Sequence, residues 1–206
     1  MRDGVPRGVL RFAITYDYRC PFGRIVHDHV TTALAAGADW EVGFIPFCLG
    51  QPHVAEGDTP LWERPNDDSG LLALQASIAL RDGQPRAFLG FHRDVYEWRH
   101  REAGNLRDRA ALSAFAERHG ADAGAMWFDV DGGGPLATIA REHEGYVRSH
   151  AVWGVPTFVV GESAVFVRLM RGPDGDADTA RTAIERIIAM IDWRDLNEFK
   201  HTSIPA

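Results

Sequence analysis

Two cysteines stand in this chain of 206 residues, and one has the neighbours that make a thiol useful. Cys20 opens the run Cys20-Pro21-Phe22-Gly23, directly after the apolar stretch Val9 to Tyr16 and directly before a helical pattern. A cysteine at a strand-to-helix junction meets unpaired backbone N–H groups and the positive end of the helix dipole. Both favour the thiolate, which is the reactive species. The expectation is a partly exposed thiol at the first turn of a helix, with a pKa below the ordinary ~8.5. Where a second cysteine would close a disulfide with Cys20, the chain has Gly23. One thiolate still suffices to form or receive a mixed disulfide.

Other residues gather around this motif. Arg24 follows Cys20 by four positions, one helical turn along on a similar face. It could lower the thiol pKa or hold a substrate carboxylate; an ordinary solvated arginine is the plain alternative. His27 and His29 lie in the same helix but, two apart, cannot share a face; they read as surface or core histidines. Cys48 follows a second apolar run, Trp40 to Phe47. If the two runs are neighbouring parallel strands, they end on one rim about 4.8 Å apart. Cys48 could then act as a resolving thiol, provided the two Cα atoms come within ~7 Å; the plain reading is a small buried residue. None of the nine histidines stands with a cysteine at metal-ligand spacing, so no metal is assigned. Gly132-Gly133-Gly134 lacks the strand, Lys and Ser/Thr of a phosphate loop and reads as a hinge.

The elements that must position these groups are legible in outline. Val9 to Tyr16 reads as a buried strand, about Pro21 to Ala36 as a helix with Pro21 in its first turn, and Trp40 to Phe47 as a second strand. This is a βαβ unit with parallel strands and a right-handed crossover. Gly50 to Gly70 has loop content throughout; residues 51–68 read as a mobile entrance, with His53, Trp62 and Glu63 as candidate lining residues. From Leu71 to about His150 the texture is helical: Leu71 to Leu80, Arg86 to Arg101, Arg109 to His119, Ala121 to Val130 and Pro135 to Ser149. Strand character returns at Thr157 to Val160 and Ala164 to Leu169, a hairpin around Gly161-Glu162-Ser163. Asp178 to Trp193 closes as an amphipathic helix with Ile184, Ile187, Ile188 and Ile191 on one face.

Composition narrows the function classes. A net charge of −7 without a Lys/Arg cluster argues against a nucleic-acid surface. No apolar run approaches the ~18 residues of a membrane span. Residues 1–8 lack the apolar region of a secretory signal. With only two cysteines, a cytoplasmic, reducing setting is expected.

The motifs carry a family resemblance. Tyr16-Asp17-Tyr18-Arg19-Cys20-Pro21-Phe22 resembles the active-site segment of DsbA-like thioredoxin-fold proteins, and Gly154-Val155-Pro156-Thr157-Phe158 stands where that family has its cis-proline loop. Pro46-Phe47-Cys48-Leu49 is similar to a strand ending in the branch of 2-hydroxychromene-2-carboxylate isomerases, kappa-class glutathione transferases and FrnE-like oxidoreductases. Ala164 to Leu169 with Asn197 to Pro205 resembles an actinobacterial group near mycothiol-dependent reductases. The resemblance implies a thioredoxin-like α/β fold with a helical insertion between the second and third strands: residues 1–49 and 151–206 as the thioredoxin-like part, 50–70 as loop or lid, and 71–150 as a helical subdomain capping the cleft. It implies Cys20 as the catalytic thiol, with Pro21, Phe22, Gly23, Arg24, Val155 and Pro156 facing substrate. The leading expectation is a thiol-dependent oxidoreductase with mycothiol or glutathione as cosubstrate and no tightly bound cofactor. An isomerase or thiol transferase is one alternative; a non-catalytic thioredoxin-fold binding module is another. The expected partners are a small-molecule thiol or substrate, with a homodimer left open and neither nucleic acid nor membrane.

Overall fold

The computed structural model describes residues 9–191, 193, 195–198 and 201. The N-terminal octapeptide and most of the tail motif, Phe199, Lys200 and Thr202 to Pro205, lie outside the described residues.

The first strand, β1 (Leu10–Tyr16), pairs in parallel with β2 (Trp40–Pro46), and helix α1 (Pro21–Ala35) makes the crossover between them. The alternation of β1 sorts its side chains onto two faces. Phe12, Ile14 and Tyr16 join a large cluster with Phe44, Phe158, Val26, Val30 and Ile184. Ala13 faces the other way, toward a smaller cluster of Ile45, Phe47, Val152, Val155, Val159 and Cys20. Two antiparallel strands complete the sheet: β3 (Thr157–Val160) against β1, and β4 (Ser163–Phe166) against β3, giving the order β2-β1-β3-β4. The hairpin turns at Gly161-Glu162, with Gly161 at φ +57°, a left-handed conformation that suits glycine. β4 ends at Phe166, three residues short of the expected strand.

Five helices lie between β2 and β3: α2 (Leu71–Gly83), α3 (Pro85–Arg101), α4 (Arg109–Arg118), α5 (Ala123–Asp131) and α6 (Gly134–His150). α2 is apolar nearly all round, with Leu71, Leu74, Ile78 and Leu80 buried, because α3, α5 and α6 surround it. The Gly132-Gly133-Gly134 run joins α5 to α6, with Gly133 at φ +81°. α7 (Ala177–Ile191) packs on α1 through Ile184 and Ile188 and stops two residues before Trp193.

Residues 50–70, expected to be irregular, carry only short local turns. They form three short 3-10 turns, Gln51–His53, Leu61–Glu63 and Pro65–Asp67. Leu61 is buried and donates its N–H to Gln51 Oε1 at 2.8 Å, and Asp68 is buried at the foot of α2. Proline and glycine content marked irregular backbone correctly, and Leu61 and Asp68 are the points at which the segment packs onto the rest of the protein. His53 is exposed, and Trp62 packs against His143 with ring centroids 5.3 Å apart.

Candidate active site

β1 ends at Tyr16, and the four residues that follow turn the chain into α1. Cys20 is the N-cap of α1, with extended backbone (φ −82°, ψ 114°). In this position its sulfur takes the place of a capping oxygen and accepts the Gly23 N–H at 3.2 Å. The thiol also lies 3.3 Å from the carbonyl oxygen of Val155, to which it donates.

Val155 belongs to a tightly braced loop. The Val155–Pro156 peptide is cis. Thr15 of β1 donates its hydroxyl to Gly154 O at 3.0 Å and accepts the Thr157 N–H at 2.8 Å, while the Thr157 hydroxyl donates to Gly154 O at 2.8 Å. Val167 N–H closes on Pro156 O at 3.1 Å. Thr15, which the sequence reading did not single out, thus ties the strand before Cys20 to the loop above it.

Burial corrects two expectations. Cys20 is only 7% exposed, packed with Ile45, Phe47, Val152, Val155 and Val159, rather than partly open. Its pKa is raised, not depressed: removal from water dominates, and the N–H groups of Gly23 and Phe22 oppose it only in part. Asp17 pushes in the same direction as burial. The helix N-terminus is present as expected, but apolar cover from distant segments outweighs it. Val155 and Pro156 are buried, whereas Pro21 is exposed and Phe22 half-buried.

Arg24 does not turn to the thiol. It pairs with Glu97 of α3 at 2.9 Å, and Glu97 also holds Arg101. Arg168 places its guanidinium over the neighbouring Phe22 ring, 5.1 Å from the centroid. Trp153, 66% exposed, stacks on Phe166 at 4.5 Å just before the Gly154-Val155-Pro156 loop.

Cys48 sits in different surroundings. It is fully buried in the larger cluster, and the Arg19 guanidinium approaches its sulfur at 3.9 Å. Burial, with Asp68 and Asp17 adding to it, pushes its pKa up to about 12. Arg19 forks onto Asp17 (2.6 Å through Nη2, 3.0 Å through Nε) and reaches Asp68 at 2.6 Å. Asp17 also accepts the Leu49 N–H, and Asp68 accepts those of Gly70 and Leu71. This cluster joins the end of β1, the end of β2 and the start of α2. An Asp just ahead of an apolar helical run was the one sequence signal for it. Both cysteines are free thiols and pack into separate apolar clusters.

His27 and His29 are both buried, but for different partners. His29 Nε2 meets the Arg171 carbonyl oxygen at 3.0 Å. His27 opens a chain: His27 Nε2 to Thr15 O at 3.1 Å, His92 Nε2 to His27 Nδ1 at 3.0 Å, and Tyr18 OH to His92 Nδ1 at 3.0 Å. A carbonyl only accepts, so His27 carries its proton on Nε2. His92 Nε2–H must then donate to His27 Nδ1, and the Tyr18 hydroxyl to His92 Nδ1. All three groups are neutral.

An open groove of about 510 Å³ lies at the opposite end of the strands, between Arg11, Glu41, Gly43 and Gly161, away from Cys20. Among the described residues no group of three His, Cys, Asp or Glu side chains could hold a metal ion, and no helix is long and apolar enough to cross a membrane.

A four-stranded sheet with a helix-capping cysteine beside a proline loop, and helices inserted after β2, can be set against known proteins. No family model matches the chain, and no curated protein matches it by sequence. Solved structures do. A thioredoxin-like oxidoreductase from Silicibacter pomeroyi DSS-3 aligns at 20% identity over 89% of this chain and 88% of that one, with a TM-score of 0.55. BdbD from Bacillus subtilis, in its oxidised form, aligns at 14% identity over 89% of each chain, with a TM-score of 0.58. A 2-hydroxychromene-2-carboxylate isomerase aligns at 13% identity over 87% of this chain and 96% of that one, with a TM-score of 0.60. The fold is thioredoxin-like. At these identities the likeness is one of architecture, and it covers the helical insertion as well as the sheet.

Proposed function

We propose that this protein is a thiol-dependent oxidoreductase that works through Cys20 alone and exchanges with a low-molecular-weight thiol such as mycothiol or glutathione. The observation that carries this reading is the Cys20 sulfur at the N-cap of α1, 3.2 Å from Gly23 N and 3.3 Å from Val155 O. In the resting protein the thiol is protonated, because burial raises its pKa. Once the proton leaves to solvent, the Gly23 and Phe22 N–H groups hold the thiolate. The thiolate attacks a disulfide RSSR, forming a Cys20–S–SR bond and releasing RS⁻. A second thiolate, R′S⁻, then attacks the R sulfur, releasing RSSR′ and restoring the Cys20 thiolate. A reducing, cytoplasmic setting goes with this reading, since excess thiol keeps Cys20 reduced between turnovers.

A second reading, a thioredoxin-fold binding module without redox chemistry, draws on the burial and raised pKa of the same thiol. An isomerase or thiol transferase, in which the small thiol is a bound cosubstrate, draws on the likeness to the chromene-carboxylate isomerase. Intact-mass measurement after incubation with oxidised mycothiol, glutathione and coenzyme A separates them. One stoichiometric adduct, removed by the matching free thiol, is the expected result. No adduct with any of the three favours the binding module; tight reversible binding of the reduced thiol without an adduct favours the cosubstrate reading.

A further inference from the structure

Position 23 is closed as well as empty. A Cβ built on Gly23 would lie 2.9 Å from the Tyr96 hydroxyl oxygen, 3.0 Å from Val155 Cγ1 and 3.2 Å from Cys20 Cβ. Real Cβ atoms essentially never come within 3.0 Å of another heavy atom, so something must move to admit even a methyl group, and a cysteine sulfur needs more room.

Tyr96 is poorly placed to move. It comes from α3, in the helical block, and is 2% exposed. Its hydroxyl donates to Asp17 O at 3.2 Å, the carbonyl that also receives the Cys20 N–H at 3.0 Å. Its ring packs against Tyr18 (4.9 Å), His92 (5.1 Å) and His27 (5.5 Å, 28° between planes), with His100 stacked beyond at 6.2 Å. His100 is itself held by the Tyr18 carbonyl at 2.9 Å. The neutral Tyr18–His92–His27 chain is thus a rigid backing for this hydroxyl.

From these contacts we infer that Tyr96 is the residue that restricts the site to one thiol. Its hydroxyl fills the space a second thiol at position 23 requires, so a mixed disulfide on Cys20 cannot be resolved from within α1 and must be resolved by an external small thiol. This rests on the single-thiol reading above. Tyr96 is a positioning residue here: it acts on which thiol reaches the Cys20 sulfur, and takes no part in bond making. The helical insertion thereby sets the chemistry of the thioredoxin-like part.

The test compares Gly23→Cys alone with Gly23→Cys combined with Tyr96→Phe, each exposed to oxidised glutathione and read by intact mass. In closing an intramolecular bond, Cys20 and the introduced thiol reduce one glutathione disulfide to two glutathiones and lose two hydrogens. The single variant is expected to accumulate the glutathione adduct. The double variant is expected to show the two-hydrogen loss, mapped to the peptide that carries Cys20 and the introduced thiol. Tyr96→Phe leaves Asp17 O with the Cys20 N–H as a partner. Equal disulfide closure in both variants, or closure in neither, overturns the proposal. A second measurement covers misfolding of the cysteine variants: Gly23→Ala should lower the melting temperature, and adding Tyr96→Phe should recover a large part of that loss, as two contacting residues require. Additive losses overturn the proposal as well. Absence of any adduct on the wild type, with Gly23→Ala and Tyr96→Phe still coupled, would count against the oxidoreductase reading while leaving the packing claim standing.

Discussion

Two strand ends lie on one rim of this sheet, four residues before one cysteine and two residues before the other, yet the two thiols are surrounded differently. Behind Cys20 stand backbone N–H groups and neutral rings: Gly23 N, Tyr96, and the Tyr18–His92–His27 chain. Around Cys48 stand charges, with Asp17, Arg19 and Asp68 fully or mostly buried. Both thiols are buried and both have raised pKa values. At Cys20 the N–H groups of Gly23 and Phe22 favour the thiolate and one carboxylate, Asp17, opposes it. At Cys48 the Arg19 guanidinium and the Gly50 N–H favour it, but two carboxylates, Asp68 and Asp17, oppose it. Place on the rim is therefore not what distinguishes the surroundings of the two sulfurs. The groups that meet each sulfur do.

The largest expected effect is on exchange. Cys20→Ser should abolish adduct formation with oxidised glutathione or mycothiol, and Cys48→Ser should keep it, as read by intact mass. The reverse pattern would exchange the roles of the two strand ends.

Next comes the charged side. Arg19→Ala leaves the buried carboxylates of Asp17 and Asp68 without their cation, and breaking such a pair costs about 3–5 kcal/mol. Urea unfolding at pH 7 should show this as a lower midpoint. A change within ~0.5 kcal/mol, typical of a surface residue, would mean that the cluster does not tie the two strand ends to α2.

The neutral side should be sensitive to acid. Burial holds His27 down to about 4 and His92 well below its ordinary value. The unfolded chain takes up its protons near pH 6.5, before the folded chain does, so stability is full above that pH and falls as the pH drops toward 4. His27 alone accounts for on the order of 3 kcal/mol of this fall. Urea midpoints at pH 7.0 and 4.5 should differ accordingly, and His27→Gln should flatten the difference; an unchanged acid limb in that variant would show the chain to be unimportant.

These contrasts separate what the sequence could disclose from what it could not. The parallel βαβ unit, the hairpin and the helices between them follow from local periodicity and from Pro21 and Gly161, so they read out well. The N-cap position of Cys20 is local too. Its burial is not: Ile45, Phe47, Val152, Val155 and Val159 arrive from segments far along the chain. Desolvation from those segments reverses the pKa expectation. Arg19 meets Asp68 across 49 positions, and Tyr96 reaches the Gly23 site across 73, so neither leaves a spacing signal. The buried contacts of the 50–70 segment, at Leu61 and Asp68, leave no spacing signal for the same reason.

The smallest expected effect concerns the rim. Trp153 is exposed and stacked on Phe166 beside the Val155 loop. Trp153→Ala should change stability by no more than ~0.5 kcal/mol and slow adduct formation a few-fold. An unchanged rate would remove Trp153 from the substrate path.

The most direct test of the central claim is the alkylation rate of each cysteine in the folded wild-type protein, measured by peptide mass spectrometry from pH 7 to 9.5. The account predicts that Cys20 reacts, that its rate rises about tenfold per pH unit across the lower part of that range because its pKa is raised, and that Cys48 stays unlabelled throughout. A Cys20 rate already level at pH 7, or labelling of Cys48 ahead of Cys20, would contradict it.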